Sequence, residues 1–164
     1  MGYNFLAGEP IAGVTTGAPL VMRAPAGKLT LGNFMKMQLY SAVGSLALGM
    51  KILAKEQVAL DSVCGHGGFF KAGKVSQSVM SAAIGAPVTV METAGEGGAF
   101  GVALLALMTA KSEGDAAFLD RLFASAKKVT VAADEREQRD FATFLASYEK
   151  GLAVERLAAE AVKA

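Results

Sequence analysis

Between Val58 and Ala110 the chain runs through an apolar stretch, a glycine-rich break, a helical stretch, a second apolar stretch and a second glycine cluster that opens another helix. The order is strand, Gly loop, helix, strand, Gly loop, helix, which is the pattern of an α/β fold. The first break, Gly65-His66-Gly67-Gly68-Phe69-Phe70-Lys71-Ala72-Gly73-Lys74, follows the strand-like Val58-Ala59-Leu60-Asp61-Ser62-Val63-Cys64. Backbone without Cβ atoms at such a break lets a flat or phosphorylated ligand approach closely. A nucleotide site is the leading expectation.

Three nucleotide-binding patterns compete for this loop. The dinucleotide fingerprint G-x-G-x-x-G/A needs a small third residue for close helix-sheet packing, and counting from Gly65 and Gly67 that residue is Phe70. In its favour, Glu92 ends the next strand, where a ribose-binding acid would sit. The phosphate-loop pattern G-x-x-x-x-G-K-[ST] is met by Gly68, Gly73 and Lys74, but Val75 stands where a hydroxyl should reach Mg²⁺. Ser76 is one residue further on, a rotation of roughly 100° on a helix, which turns it away from that place.

The third pattern extends along most of the chain. Tyr3-Asn4-Phe5-Leu6-Ala7-Gly8-Glu9-Pro10 is followed by a long helix, the Gly67-Gly68 loop and Glu96-Gly97-Gly98-Ala99-Phe100-Gly101-Val102-Ala103-Leu104-Leu105-Ala106. In order and approximate spacing these resemble the C-terminal domain of FGGY-type carbohydrate kinases, in the xylulokinase and ribulokinase branch. The first segment is similar to the family's "YLSGE" and the last to its "EGAALGAALLA" helix.

The resemblance implies an α/β domain of the ribonuclease-H-like, actin-like ATPase type, with a mixed sheet and packed helices, spanning residues 1–164 and truncated at its N-terminus. It implies that Gly67 and Gly68 face adenine and ribose, with Phe69, Phe70 and Lys71 lining the path to Ala72. Relatives carry a small or polar residue at the position of Ala72, and an alanine there offers adenine no side-chain hydrogen bond. ATP and Mg²⁺ are the implied cofactors and a pentulose-type sugar the implied substrate, held mainly by an N-terminal lobe. The family's D-x-G-T phosphate motif, its catalytic Asp and its second phosphate hairpin are not in this sequence. Because phosphoryl transfer needs in-line positioning, metal-bound phosphates and a base, the fragment is expected to be inactive alone. An exposed sheet edge left by a missing hairpin would favour a homo-oligomer. The alternatives are a stand-alone nucleotide-sensing or assembly module and a dinucleotide-binding oxidoreductase fragment.

A length of 164 residues suits one domain with a real core, and 52% hydrophobic against 19% charged residues is the opposite of a disordered composition. The net charge of +1, with scattered lysines, carries no footprint for nucleic acid. A single cysteine, Cys64, cannot form an intrachain disulfide, and at the end of a buried strand it suits a reduced cytoplasmic interior. The charge-free run Gly97 to Ala110 is shorter than the roughly 20 residues that cross a bilayer, so no membrane partner is expected.

Residues 1–29, punctuated by Pro10, Pro19 and Pro25, read as loop or edge strand. Thr30 can cap a helix running to about Lys55, with Leu31, Met35, Leu39, Ala42, Val43, Leu46, Met50 and Leu53 on its apolar face. Gly32, Gly44 and Gly49 each cost that helix about 1 kcal/mol, which suggests close packing against a neighbour. Val75, Val79, Ala82 and Ala83 form a helical stripe that Gly85 can close before Pro87. A strand over Val88–Glu92 follows, then a helix from Gly97 to about Thr109 whose Gly98, Gly101 and Ala106 would let it lie tight against the sheet or a ligand. Asp115–Ala126 is an amphipathic helix using Phe118, Leu119, Leu122 and Phe123. Val129–Val131 reads as a short strand or simply as extended chain. Asp134 begins a charged helix with Phe141, Phe144, Leu145, Tyr148 and Leu152 inside and Glu135, Arg136, Glu137, Arg139 and Glu149 outside.

His66, the sole histidine, has no partners spaced as a triad and cannot hold a metal alone, so a peripheral role is expected. Lys71 and Lys74 could meet phosphates or simply be solvated. Glu9 and Glu96 precede helical segments and read as caps or dipole partners. The methionines at helical spacing read as core.

Overall fold

The computed structural model describes residues 1–111 and 116–162. A short antiparallel pair, β1 (Gly2–Tyr3) and β2 (Leu20–Val21), flanks a 3₁₀ turn at Pro10–Ala12 and leads into α1 (Leu31–Lys55). The chain then continues through β3 (Val63–Gly65), a 3₁₀ segment Gly68–Ala72, α2 (Lys74–Ile84), β4 (Val88–Met91), a 3₁₀ turn Ala94–Glu96 and α3 (Gly97–Lys111). It ends with α4 (Ala116–Phe123), β5 (Lys128–Val131) and α5 (Glu135–Ala161). The result is a mixed α/β structure: β4 is central, parallel to β3 and antiparallel to β5, with Val88 facing Val63 on one side and Val131 on the other.

The helix starts follow from local chemistry. Thr30 Oγ1 accepts the Asn33 N–H at 3.1 Å, and Asp134 Oδ1 accepts the Glu137 N–H at 2.7 Å, each occupying a donor the first turn leaves unpaired. Gly85 closes α2 at φ 73°, a left-handed cap that costs glycine nothing. Glu9 caps the first 3₁₀ turn by accepting the Ile11 N–H at 3.3 Å.

Two apolar clusters share Phe144 and Leu145 of α5. One joins Tyr40, Val43 and Ala47 of α1 to Val79 and Ala83 of α2 and Phe141 of α5; the other gathers Tyr3, Ala12 and Val14 around Tyr148 and Leu152. The inner line of α5 is therefore the expected one. On α1 the buried stripe is rotated from the leucine and methionine positions. Leu31 and Met35 are 77% and 53% exposed, whereas Tyr40, Ser41, Val43, Gly44 and Ala47 are buried. The cause is Tyr148, whose ring crosses α1 so closely that a Cβ on Gly44 would stand 2.8 Å from its Cζ. Of the three glycines expected to permit close packing, only Gly44 does so; Gly32 meets nothing within 4 Å and Gly49 has only ordinary contact with Ile11.

Buried polar groups tie the layers together. The Gln77 amide on α2 donates to the carbonyls of Val88 (3.0 Å) and Val129 (2.8 Å), fixing the helix to β4 and β5. Ser81 Oγ accepts the Ala133 N–H at 2.9 Å, and Glu155 Oε1 accepts the Ala18 N–H at 2.9 Å. Tyr3 donates to the Tyr148 carbonyl at 2.6 Å. Such bonds stabilise mainly because breaking one leaves a buried group unpaired, at about 1–3 kcal/mol.

Several expectations are corrected. The first strand of the α/β unit is only Val63–Gly65, because the segment before it, Val58 to Ser62, lies outside the sheet and is mostly exposed. Cys64 is exposed, not buried, since the outer face of β3 is uncovered. Val75, placed in the inner stripe of α2, is 56% exposed. The small residues of α3 do not hold it against the sheet: none of its residues is buried, and Gly98 and Gly101 have nothing within 4 Å of an added Cβ. Asp115, where a helix was expected to begin, lies outside the described residues; α4 starts at Ala116 and buries Phe118. Among the described residues α1 is long and apolar enough to cross a membrane, a length the shorter run from Gly97 was not expected to reach, and Tyr40, Val43 and Ala47 of α1 pack in the first core cluster.

Candidate functional site

Because β3 and β4 are parallel neighbours, the loops that follow them leave from the same end of the sheet. The crevice outside the carboxyl ends of parallel strands is where α/β sheets bind ligands. Here the loops at that end of the sheet are residues 66–73 after β3 and 92–97 after β4. A backbone bond from the Gly67 N–H to the Ala94 carbonyl, 2.7 Å long, joins the two loops, and Lys71 Nζ meets Glu96 Oε1 at 2.7 Å across them.

Backbone conformation explains the glycines. Gly67 (φ 103°) and Gly73 (φ 64°, ψ −138°) bracket the 3₁₀ segment in regions that residues with a Cβ avoid. Around both Gly67 and Gly68 an added Cβ would find nothing within 4 Å, so this stretch of backbone faces open space. Phe69 and Phe70 diverge, with ring centroids 5.5 Å apart and planes at 86°. The Phe69 ring packs on the first core cluster, so at the crevice this residue offers backbone. The Phe70 ring lies on Gly65, at a contact that leaves no room for a Cβ there. Ala72 is exposed at the end of the segment.

Lys71 is the cation nearest the glycines in sequence, and its charge is matched. Its side chain also runs over Gly95, whose added Cβ would stand 3.2 Å from Lys71 Cε. The Lys71 ammonium, by hydrogen bond and by charge, holds the Glu96 carboxyl below its ordinary range. Glu96 thus serves as the partner of a loop lysine, a role sequence spacing does not reveal because the two are joined only through the β3–β4 pairing. The adjacency of the two parallel strands was the signal that could have exposed it. His66, exposed at the start of the loop, has its Cβ 3.0 Å from where a Cβ on Gly97 would stand. Its Nε2 is 3.4 Å from Cys64 Sγ, an i,i+2 pair on one face of extended chain that was not anticipated.

The geometry also bears on the competing patterns. The third position of the dinucleotide fingerprint is occupied by a ring that covers Gly65. For the phosphate loop, Ser76 is fully buried and donates to the Gly73 carbonyl at 2.8 Å, turned inward as its helical position requires. Among the described residues no cluster of three or more His, Cys, Asp or Glu side chains could hold a metal ion.

Comparisons with curated proteins and with solved structures return no match. The model of the C-terminal domain of the FGGY family of carbohydrate kinases matches residues 3–110, which run from β1 through the crevice and nearly to the end of α3. With two thirds of its 164 residues matched, this chain belongs to the FGGY family of carbohydrate kinases, as a C-terminal domain.

Proposed function

We propose that the chain supplies the adenosine side of the ATP site of a sugar kinase, on a ribonuclease-H-like framework, for a pentulose-type substrate such as xylulose or ribulose. The observation that carries the reading is open backbone at Gly67 and Gly68, at the carboxyl ends of two parallel strands, inside the matched region. In this arrangement Gly67 and Gly68 present backbone to the base and ribose. Phe69 anchors the segment in the core, and the Gly67–Ala94 backbone bond joins the two loops, with the exposed Lys71–Glu96 pair spanning them. Ala72 borders the seat without offering a side-chain hydrogen bond.

ATP contributes the phosphoryl group, and the sugar, the base that deprotonates it and the Mg²⁺ belong in this proposal to a separate N-terminal lobe. No described cluster of side chains suits the metal, so no metal-binding role is given to this chain. The domain alone should therefore bind adenine nucleotides weakly and transfer no phosphate. We place the protein in the cytoplasm and expect it to self-associate through a sheet edge left uncovered by a missing hairpin, with further apolar surface on α3, where Val102 and Leu105 are 69% and 63% exposed. A monomer in light scattering at high concentration would refute self-association. The functional reading is tested by calorimetric titration of ATP, ADP and NAD. Saturable binding of ATP and ADP supports it; binding of NAD alone, or of none of the three, overturns it.

A further inference from the structure

A second concavity, of about 490 Å³, lies between the N-terminal strand pair and the first turns of α1, away from the glycine loops. Its size falls within the range of small-molecule sites. Met22, Phe34 and Met37 contribute apolar surface, while Arg23 and Lys28 bring positive charge, and none of the twelve lining residues is acidic. Neither cation is neutralised by a carboxylate in the lining. Arg23 Nη1 donates to the Gly27 carbonyl at 3.2 Å, a bond that positions the guanidinium and leaves it with donors to spare, and Lys28 is tied only through its backbone carbonyl, which accepts from Asn33 Nδ2 at 2.9 Å. The Met1 ammonium, which donates to the Met22 carbonyl at 3.0 Å, adds a third positive charge to the wall.

Arg23 and Lys28, which form no ion pair with a carboxylate among the described residues, stand beside a methionine and phenylalanine surface, a combination complementary to one kind of small molecule. We propose that this cavity binds an anionic molecule with an apolar body, its acid group held by Arg23 and Lys28 and its hydrocarbon portion resting on Met22, Phe34 and Met37. The guanidinium fork suits a carboxylate or phosphate oxygen pair, and unbranched methionine side chains adapt to hydrocarbon of varied shape. The site is independent of the nucleotide reading, since it shares no residue with the loops after β3 and β4.

The test uses the full chain with octanoate, 1-octanol, octylamine and inorganic phosphate, followed by calorimetry and by amide chemical shifts. Octanoate should bind saturably and shift amides within residues 21–37. The double variant Arg23→Ala/Lys28→Ala, both positions being exposed, should keep its thermal midpoint and bind octanoate about tenfold more weakly, the loss of charge-assisted hydrogen bonds. Phe34→Ala should weaken octanoate and leave the response to phosphate unchanged. The proposal is overturned if octanol or octylamine binds as well as octanoate, if the double variant binds octanoate normally, or if the shifted amides lie elsewhere. Absence of saturable octanoate binding overturns it as well.

Discussion

Replacing Gly68 with valine separates an effect on ligand from an effect on folding. An added Cβ at Gly68 meets nothing within 4 Å, and Gly68 is not among the positive-φ glycines. Its position is exposed. A surface substitution without clash or backbone strain changes stability by no more than about 0.5 kcal/mol. For a chain of 164 residues that moves the thermal midpoint by no more than about 2 °C. In the proposed complex, however, the isopropyl group would occupy the space in which a planar base lies at about 3.5–4.0 Å from backbone carbon. Affinity for ADP should then fall at least tenfold, about 1.4 kcal/mol. Gly67→Val is the instructive contrast: its φ of 103° makes any side chain strained, at about 1–3 kcal/mol, so it should lose stability as well as ligand. Calorimetry of ADP binding beside thermal melts of the three proteins reads both quantities. Equal ADP affinity for the native chain and Gly68→Val would refute the seat at residues 67–68. A large drop in its midpoint would refute the claim that the position is open.

Glu96→Gln should lower the melting temperature slightly at neutral pH and low salt. The depressed carboxyl contributes stability above its unfolded range and loses it as pH falls through the folded one, so the difference from native should vanish in acid and shrink with added salt. Gly44→Ala forces a Cβ against Tyr148 and should cost about 1–3 kcal/mol in urea unfolding; an unchanged midpoint would show that α1 and α5 can separate freely. All three tyrosines are raised. Burial pushes Tyr3 and Tyr40 from near 10 up to about 12, helped by the Glu155 and Glu137 carboxylates, and burial pushes Tyr148 higher still. The native state therefore holds protons the unfolded chain releases, so stability should fall as pH rises from about 10 towards 12, and ultraviolet titration should show phenolate appearing only with unfolding.

Elements whose signal is local were legible from sequence: the Thr30 and Asp134 caps, the Gly85 stop and the inner line of α5 depend on residues within one or two turns of each other. Apart from Val43 and Leu39, the α1 face was misread, because its choice of inner residues is made by Tyr148, more than a hundred positions away. Likewise Val58 to Ser62 looked like strand by composition, but strand requires a neighbour, and β4 offers partners only to Val63, Cys64 and Gly65. At the crevice, glycine spacing marked the break from Gly65 to Lys74, and the choice of residues 67 and 68 within it came from the family resemblance. The Lys71–Glu96 pair and the Gly67–Ala94 bond needed the parallel pairing of β3 and β4 first.

The family match stops at residue 110, yet α5 and β5 lie beyond it. A protein shortened to that boundary would strip Phe141 and Phe144 from Tyr40, Val43 and Val79 and Tyr148 from Tyr3 and Gly44, and would take away the antiparallel neighbour of β4. The segment that carries no family signature is thus the lid on the hydrophobic interior, and an expression clone designed from the match alone would yield insoluble protein.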